Sequence, residues 1–253
     1  MDSRPRWLLR VVATGLSFFV FGVTGLVLGL AMWPVTRLLF WRRRTRAVAS
    51  RWCIRLFFRF FLAMMQALGL LTLEVRGREK LARRGLLVLA NHPTLIDVII
   101  LVSLLPEATC VVRAGLMRNV FTRGPLKAAG YIMGDDGQGL LDGCRRAREE
   151  GSAIVLFPEG TRTPRDKRMQ LKRGGANVAI RTRWPVTPVI MRCEPLTLGK
   201  GEPWYRVPPR KPLVTVDVRD DWAIEPFLVD DTPEPVAVRA LTSSLQSLFE
   251  QEA

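Results

Sequence analysis

Residues 86–90, Leu-Leu-Val-Leu-Ala, run straight into Asn91-His92-Pro93-Thr94-Leu95-Ile96-Asp97. Five apolar residues in a row, stopped by an asparagine and a proline, predict a strand buried on both faces, and such strands belong to sheets covered by helices. His92 is the only histidine in 253 residues. Imidazole is the one side chain whose unperturbed pKa lets it take up and return a proton near neutrality, so His92 is the one obvious candidate general base.

Outward from that strand, short apolar runs alternate with helix-length segments. Further strands are predicted at 71–75, 109–113, 153–157, 186–191 and 213–218, and helices at 95–105, 139–149, 175–183 and 235–251. The pattern implies an α/β fold, a mixed sheet covered by helices. No internal repeat is visible, and the proline-rich stretch 203–212 reads as a loop. The four cysteines form no C-x-x-C pair, which suits free thiols and gives no thiolate metal site.

The formal charge of +15 invites a nucleic-acid reading, but its distribution argues against one. Residues 1–70 hold eleven Arg and one Asp, a balance of +10, which leaves +5 for the other 183 residues. Arginine beside long apolar runs suits an anionic lipid surface, where each basic residue is worth about 1 kcal/mol.

Residues 11–33 carry no charge over 23 positions. At ~1.5 Å per residue that is about 35 Å of helix, enough to cross a hydrocarbon core of about 30 Å. The run is longer than a signal-peptide core and no A-x-A-like site follows it, which favours a retained anchor. Arg37, Arg42, Arg43, Arg44 and Arg46 outnumber Arg4, Arg6 and Arg10 before the run, which places the body at the inner (plasma) membrane on the cytoplasmic side. In 47–68, Arg51, Arg55 and Arg59 share one helix face among aromatic and aliphatic neighbours. That pattern predicts an interfacial amphipathic helix with arginines reaching for headgroups; the alternative is a core helix with snorkelling arginines. The expected organisation is a membrane-anchoring segment over 1–70 and a catalytic domain over 71–253.

Two polar segments follow predicted strands, at the rim where open α/β sheets bind ligands. In the first, Pro93 suits the opening turn of a helix carrying Asp97, whose carboxylate can hold one imidazole nitrogen and leave the other to accept a substrate proton. The plain alternative is a helix-capping histidine beside an ordinary carboxylate. In the second, Phe157-Pro158-Glu159-Gly160-Thr161-Arg162, Gly160 permits a tight turn, Arg162 offers a planar fork for phosphate or carboxylate, and Glu159 can accept from hydroxyls. Its alternative is a β-turn with solvated charges. From 162 to 183 there are eight basic residues against Asp166 alone, a positive rim suited to an acidic partner or a lipid headgroup, or a solvated loop.

Together the two segments, in this order, resemble the signature blocks of the glycerolipid and lysophospholipid acyltransferase family, which includes 1-acylglycerol-3-phosphate acyltransferases. Val75-Arg76-Gly77, Lys172-Arg173-Gly174 and Pro188 extend the likeness over roughly 70–195. The resemblance implies that His92 deprotonates an acceptor hydroxyl with Asp97 orienting it. It also implies that Glu159, Gly160, Thr161, Arg162 and Lys172 belong to the acceptor-binding region, and that Arg113 contacts phosphate. An amphipathic N-terminal membrane motif also fits the family. The middle block departs from the pattern Gly-x-Ile-Phe-Ile-x-Arg. Here Gly130-Tyr131-Ile132-Met133-Gly134-Asp135-Asp136 puts an acid at the arginine position, which predicts weaker binding of a phosphomonoester there.

The reading that results is a membrane-bound O-acyltransferase that moves a fatty acyl group from acyl carrier protein or coenzyme A onto a lysolipid hydroxyl. It needs no cofactor beyond that co-substrate and no metal. Its rivals are a hydrolase using Ser103 or Ser152, and a non-catalytic basic binder at the membrane surface.

Overall fold

The computed structural model describes residues 4–164, 168–229 and 232–252. Two long helices lead, α1 (Arg4–Leu39) and α2 (Arg43–Ala67). Then come β1 (Thr72–Arg76), β2 (Leu87–Ala90), α3 (Asp97–Leu104), β3 (Ala108–Val112), α4 (Val120–Ala129), β4 (Ile132–Met133) and α5 (Gly137–Glu149). The chain continues through β5 (Ala153–Leu156), α6 (Gly174–Thr182), β6 (Val186–Glu194), β7 (Leu213–Val218) and α7 (Glu234–Glu252). The strands form one seven-stranded sheet in the order β1-β7-β6-β2-β5-β3-β4. Only β6 and β7 pair antiparallel, so the sheet is mixed as the sequence predicts.

The buried runs behave as period-2 strands inside a three-layer stack. Leu87 and Leu89 of β2 and Ile154 and Leu156 of β5 face a cluster built with Leu140, Val178, Leu241 and Phe249 of α5, α6 and α7. Val88, Ala90, Ala153 and Val155 face the opposite cluster, with Ile100 and Leu101 of α3 and Phe61, Leu62 and Met65 of α2. A strand apolar at every position is therefore the correct signal for a sheet covered on both sides.

The N-terminal helices join this core. Phe21 of α1 packs edge-on to Phe61 and beside Phe57. Gly29 of α1 lies so close to Gly124 of α4 that a Cβ at Gly124 would strike the Gly29 carbonyl. The Gly124-Pro125 pair reads as a break in sequence, yet α4 runs through it, because its glycine admits α1 and proline is tolerated at a helix that neighbours support.

The expected headgroup role is corrected for one arginine of α2. Arg51 is 5 % exposed; its guanidinium donates to the Ala129 carbonyl at 2.9 Å, to Ser152 Oγ at 2.7 Å and to Glu107 Oε1 at 3.1 Å. Arg59 is exposed, and Trp52, Leu56 and Phe60, four residues apart, form an outward apolar row. The helix thus has a buried arginine on its inner side and aromatic residues outside.

Candidate active site

Strands β2 and β5 are parallel neighbours in register, Leu87 beside Ile154 and Leu89 beside Leu156. The loops that leave their C-terminal ends must therefore emerge side by side, and these loops are the two polar segments. Asn91 ties the first loop to the sheet: its amide donates to the Met191 carbonyl at 2.8 Å and accepts from the Met191 N–H at 2.6 Å.

His92 follows. Its Nδ1 lies 2.8 Å from Asp97 Oδ2, and its ring stacks on Phe157 with centroids 4.2 Å apart. Helix α3 begins at Asp97, two residues later than the sequence predicts, and Pro93 lies in irregular chain ahead of it instead of in the first helical turn. Asp97 is fully buried, and the N–H of Thr94 donates to its Oδ2 at 2.6 Å while the Thr94 hydroxyl donates to Oδ1. The Thr94-x-x-Asp97 spacing thus lets one residue satisfy both carboxylate oxygens from the turn just before the helix. With Nδ1 held by the carboxylate, Nε2 is the nitrogen left for chemistry.

Burial is the largest influence on Asp97 and raises its pKa above the ordinary 3.8; hydrogen bonding and charge from His92, then Thr94, oppose it. Glu159 is likewise pushed above 4.5 by burial, against its bonds to Thr163 and to the His92 backbone. Its Oε1 accepts the His92 N–H at 2.7 Å and its Oε2 accepts the Thr163 hydroxyl. At 4 % exposure Glu159 does not line the crevice in front of the imidazole. Both of its oxygens tie the two loops together, and its side chain borders two neighbouring clefts.

That crevice holds about 420 Å³ and is walled by His92, Arg113, Asp135, Phe157, Gly160, Thr161, Arg162 and Lys172, among others. Gly160 has φ +67, a backbone conformation that L side chains rarely adopt, so the turn needs glycine, and the Lys172 side chain packs beside it. Lys172 donates its backbone N–H to the Pro158 carbonyl at 2.7 Å, which fixes the basic side chain beside the turn. Arg162 Nη1 donates to the Leu198 and Gly199 carbonyls at 3.1 and 3.0 Å, while the Leu95 N–H donates to the same Leu198 carbonyl at 3.1 Å. Arg162 therefore ties its own turn to the loop around Leu198 while it lines the crevice. Gly174 and Gly175, at the start of α6, complete the wall and turn the positive end of a helix toward it.

The structure thus brings His92, Asp97, Arg113, Gly160, Thr161, Arg162 and Lys172 to one place and sets Glu159 behind them. The acid at the departing position, Asp136, is not in the crevice. It caps α5, accepting from the Gln138 and Gly139 N–H groups at 3.2 and 3.0 Å. Asp135 faces the crevice instead. Arg165, Asp166 and Lys167 of the basic rim lie outside the described residues. Ser103 and Ser152 are buried and hydrogen-bonded elsewhere, to the Ile100 carbonyl and to Glu107, and neither reaches the crevice. Among the described residues no group of three or more His, Cys, Asp or Glu could hold a metal.

Residues 72–192 match the family model described as Acyltransferase. The chain is 24% identical over 187 residues to a 1-acyl-sn-glycerol-3-phosphate acyltransferase of Pseudomonas aeruginosa, across 72% of this chain and 71% of that protein. It is 25% identical over 198 residues to the protein of the same name from Limnanthes douglasii, across 70% of this chain and 66% of that protein. The crystal structure of the 1-acyl-sn-glycerophosphate (LPA) acyltransferase PlsC from Thermotoga maritima shares the fold with a TM-score of 0.69 at 17% identity, over 96% of this chain and 97% of that one.

Proposed function

From the match of residues 72–192 to the acyltransferase family model and the likeness to 1-acyl-sn-glycerol-3-phosphate acyltransferases, we propose that this chain moves a fatty acyl group from a thioester to a lysolipid hydroxyl with His92 as general base. The observation that carries the reading is the 2.8 Å contact between Nδ1 of the single histidine and a carboxylate that Thr94 holds from two sides. Such a pair fixes the tautomer with a proton on Nδ1 and steadies the imidazolium that forms during transfer.

The step balances without a covalent enzyme intermediate. Nε2 takes the proton of the acceptor hydroxyl as its oxygen adds to the thioester carbonyl. The tetrahedral adduct collapses, the carbon–sulfur bond breaks, and the imidazolium returns its proton to the leaving thiolate. Ester and free thiol result, and the base is regenerated. Arg113 and Lys172 attract and orient the anionic head of the acceptor or the phosphate of the donor arm. Acyl carrier protein and acyl-coenzyme A are the two donors that fit a basic rim, and no further cofactor or metal enters the step.

For the membrane, α1 is long and apolar enough to span a bilayer. It nevertheless runs alongside the body from end to end: Trp7 and Arg10 donate to the Val207 and Pro208 carbonyls, and Gly29 abuts α4. Its exposed residues Leu9, Val12, Leu16, Phe19, Val23, Val27 and Leu30 recur every three or four positions and form one stripe. These facts favour a helix lying half-submerged in one leaflet, with the crevice held at the headgroup level.

The test is a radiolabelled acyl-donor assay in membranes, with acyl carrier protein and coenzyme A thioesters, with and without lysolipid. Label should enter a two-chain lipid only when an acceptor is present. Release of free fatty acid at the same rate without acceptor would replace transfer by hydrolysis.

A further inference from the structure

Among the described residues the crevice carries three cations, Arg113, Arg162 and Lys172, and one carboxylate, Asp135. This acid is built into the rim. The Gly134 N–H donates to the Val112 carbonyl at 2.9 Å, and the Ala114 N–H donates to Asp135 Oδ2, so the ends of β3 and β4 are stitched together at two points. Arg113 is the residue next to Ala114, yet among the described residues Arg113 and Asp135 form no ion pair. The rim therefore offers a cation and an anion side by side, each exposed, with Oδ1 of Asp135 left to accept.

Neighbouring opposite charges that do not neutralise each other are the complement of a ligand that also carries both. From this geometry we infer that the preferred acceptor is a hydroxyl-bearing lysolipid with a zwitterionic head, its ammonium set against Asp135 and its anion against Arg113 and Lys172. A head that carries only anionic charge satisfies the basic residues but must sit beside an unpaired carboxylate, and like charges so placed disfavour it. The inference rests on the acyl-transfer reading and names the class of acceptor for that same site. The shared chemistry, a primary ammonium near an anion, has two sources: a lysophospholipid with an aminoalkyl phosphodiester, or a phosphorus-free hydroxyacylated amino-acid lipid.

The experiment measures kcat/KM for four acceptors of matched chain length: lysophosphatidate, lysophosphatidylglycerol, lysophosphatidylethanolamine and a 3-hydroxyacyl amide of a diamino acid. Lysophosphatidylglycerol shares the phosphodiester but lacks the ammonium. Equilibrium binding of the same lipids is read in parallel. The full-length protein should favour an ammonium-bearing acceptor over both anionic ones by about tenfold or more, a discrimination in the range that one or two polar contacts supply. Which of the two ammonium-bearing acceptors turns over faster separates the sources. Asp135→Asn, which keeps an oxygen for the Ala114 N–H, should shrink that preference to about twofold through KM, and Asp135→Arg should reverse it toward lysophosphatidate. A wild-type preference for lysophosphatidate overturns the inference, as does a preference that survives Asp135→Asn unchanged. If no acceptor is acylated the transfer reading fails by itself, and the binding ratios still decide the headgroup.

Discussion

Glu159 Oε1 takes the backbone N–H of His92 at 2.7 Å, joining residues 67 apart in sequence. The same carboxylate accepts from Thr163, so one buried acid registers the loop of His92 against the loop that bears Gly160, Thr161 and Arg162. His92 thus owes its position to two carboxylates. Asp97 holds the ring and Glu159 holds the backbone behind it.

Glu159→Gln keeps an oxygen for the His92 N–H and can donate to Thr163, and it removes a buried charge. We expect Tm to stay level or rise and kcat to remain within about tenfold of wild type. Glu159→Ala leaves both donors unpaired and should cost about 1–3 kcal/mol of stability. A shift of the base on the order of 1 Å should then lower kcat about 100-fold. Thermal unfolding and steady-state rates on both variants check this, and equal rates for the Ala and Gln forms would remove Glu159 from the positioning role.

Asp97→Asn should separate stability from activity. The folded pKa of Asp97 lies above its ordinary 3.8, so its contribution to stability is fully present below that value and is lost as pH rises through the raised pKa. Measured against Asp97→Asn, the wild type should therefore lose relative Tm as pH climbs from about 4 toward neutrality. Activity should move the other way: the amide places its donor against Nδ1 and favours the wrong tautomer, a change that lowers kcat by about 10⁴ in the serine-protease triad. A variant with wild-type kcat would show that the pair orients nothing.

Arg51 links α2 to the sheet through Glu107, 10 % exposed, and Ser152. Removing one partner of such a pair strands the other, so Arg51→Ala should destabilise by about 3 kcal/mol, the lower end of the usual cost because Arg84 still reaches Glu107 at 3.1 Å. Arg51→Met combined with Glu107→Leu should recover most of the loss. Chemical denaturation of the wild type, Arg51→Met, Glu107→Leu and the double variant closes the cycle, and an additive double variant would refute the coupling.

The stripe on α1 makes a separate demand. Leu16→Gln, Phe19→Gln and Val23→Gln together alter exposed positions and should leave the unfolding midpoint nearly unchanged. Binding to anionic vesicles should weaken about 100-fold or more, given roughly 1.5–3 kcal/mol for each large apolar side chain withdrawn from water. Co-sedimentation measures it, and undiminished binding would detach the stripe from the membrane.

Much of this architecture was legible because it rests on local rules. Residues 86–90 and 153–157 are apolar without alternation, the mark of strands covered on both faces, and both were placed to within a residue of β2 and β5. Their parallel pairing then forced the His92 and Glu159 loops onto one rim, so convergence of the two motifs followed from topology and not from either motif alone. What failed depended on contacts distant in sequence. Helix α4 was invisible because Gly124-Pro125 obeys a tertiary need, room for α1, over local propensity. Arg51 looked like its neighbours on the helix face until Glu107 and Ser152, more than fifty residues away, took its guanidinium. Glu159 reads in sequence as an acceptor for hydroxyls, and no sequence rule shows that it is 4 % exposed with both oxygens bonded to neighbouring loops. Asp135 and Asp136 are adjacent and chemically alike, and only the cap of α5 reveals which of them leaves the crevice.

The most direct trial of the whole account is single-turnover acyl transfer by His92→Gln in membranes, with Tm and vesicle binding measured on the same preparation. General-base removal should lower the rate by about 10²–10⁴ while the unfolding midpoint and lipid affinity stay near wild type. A folded His92→Gln protein that transfers acyl groups at the wild-type rate would contradict it.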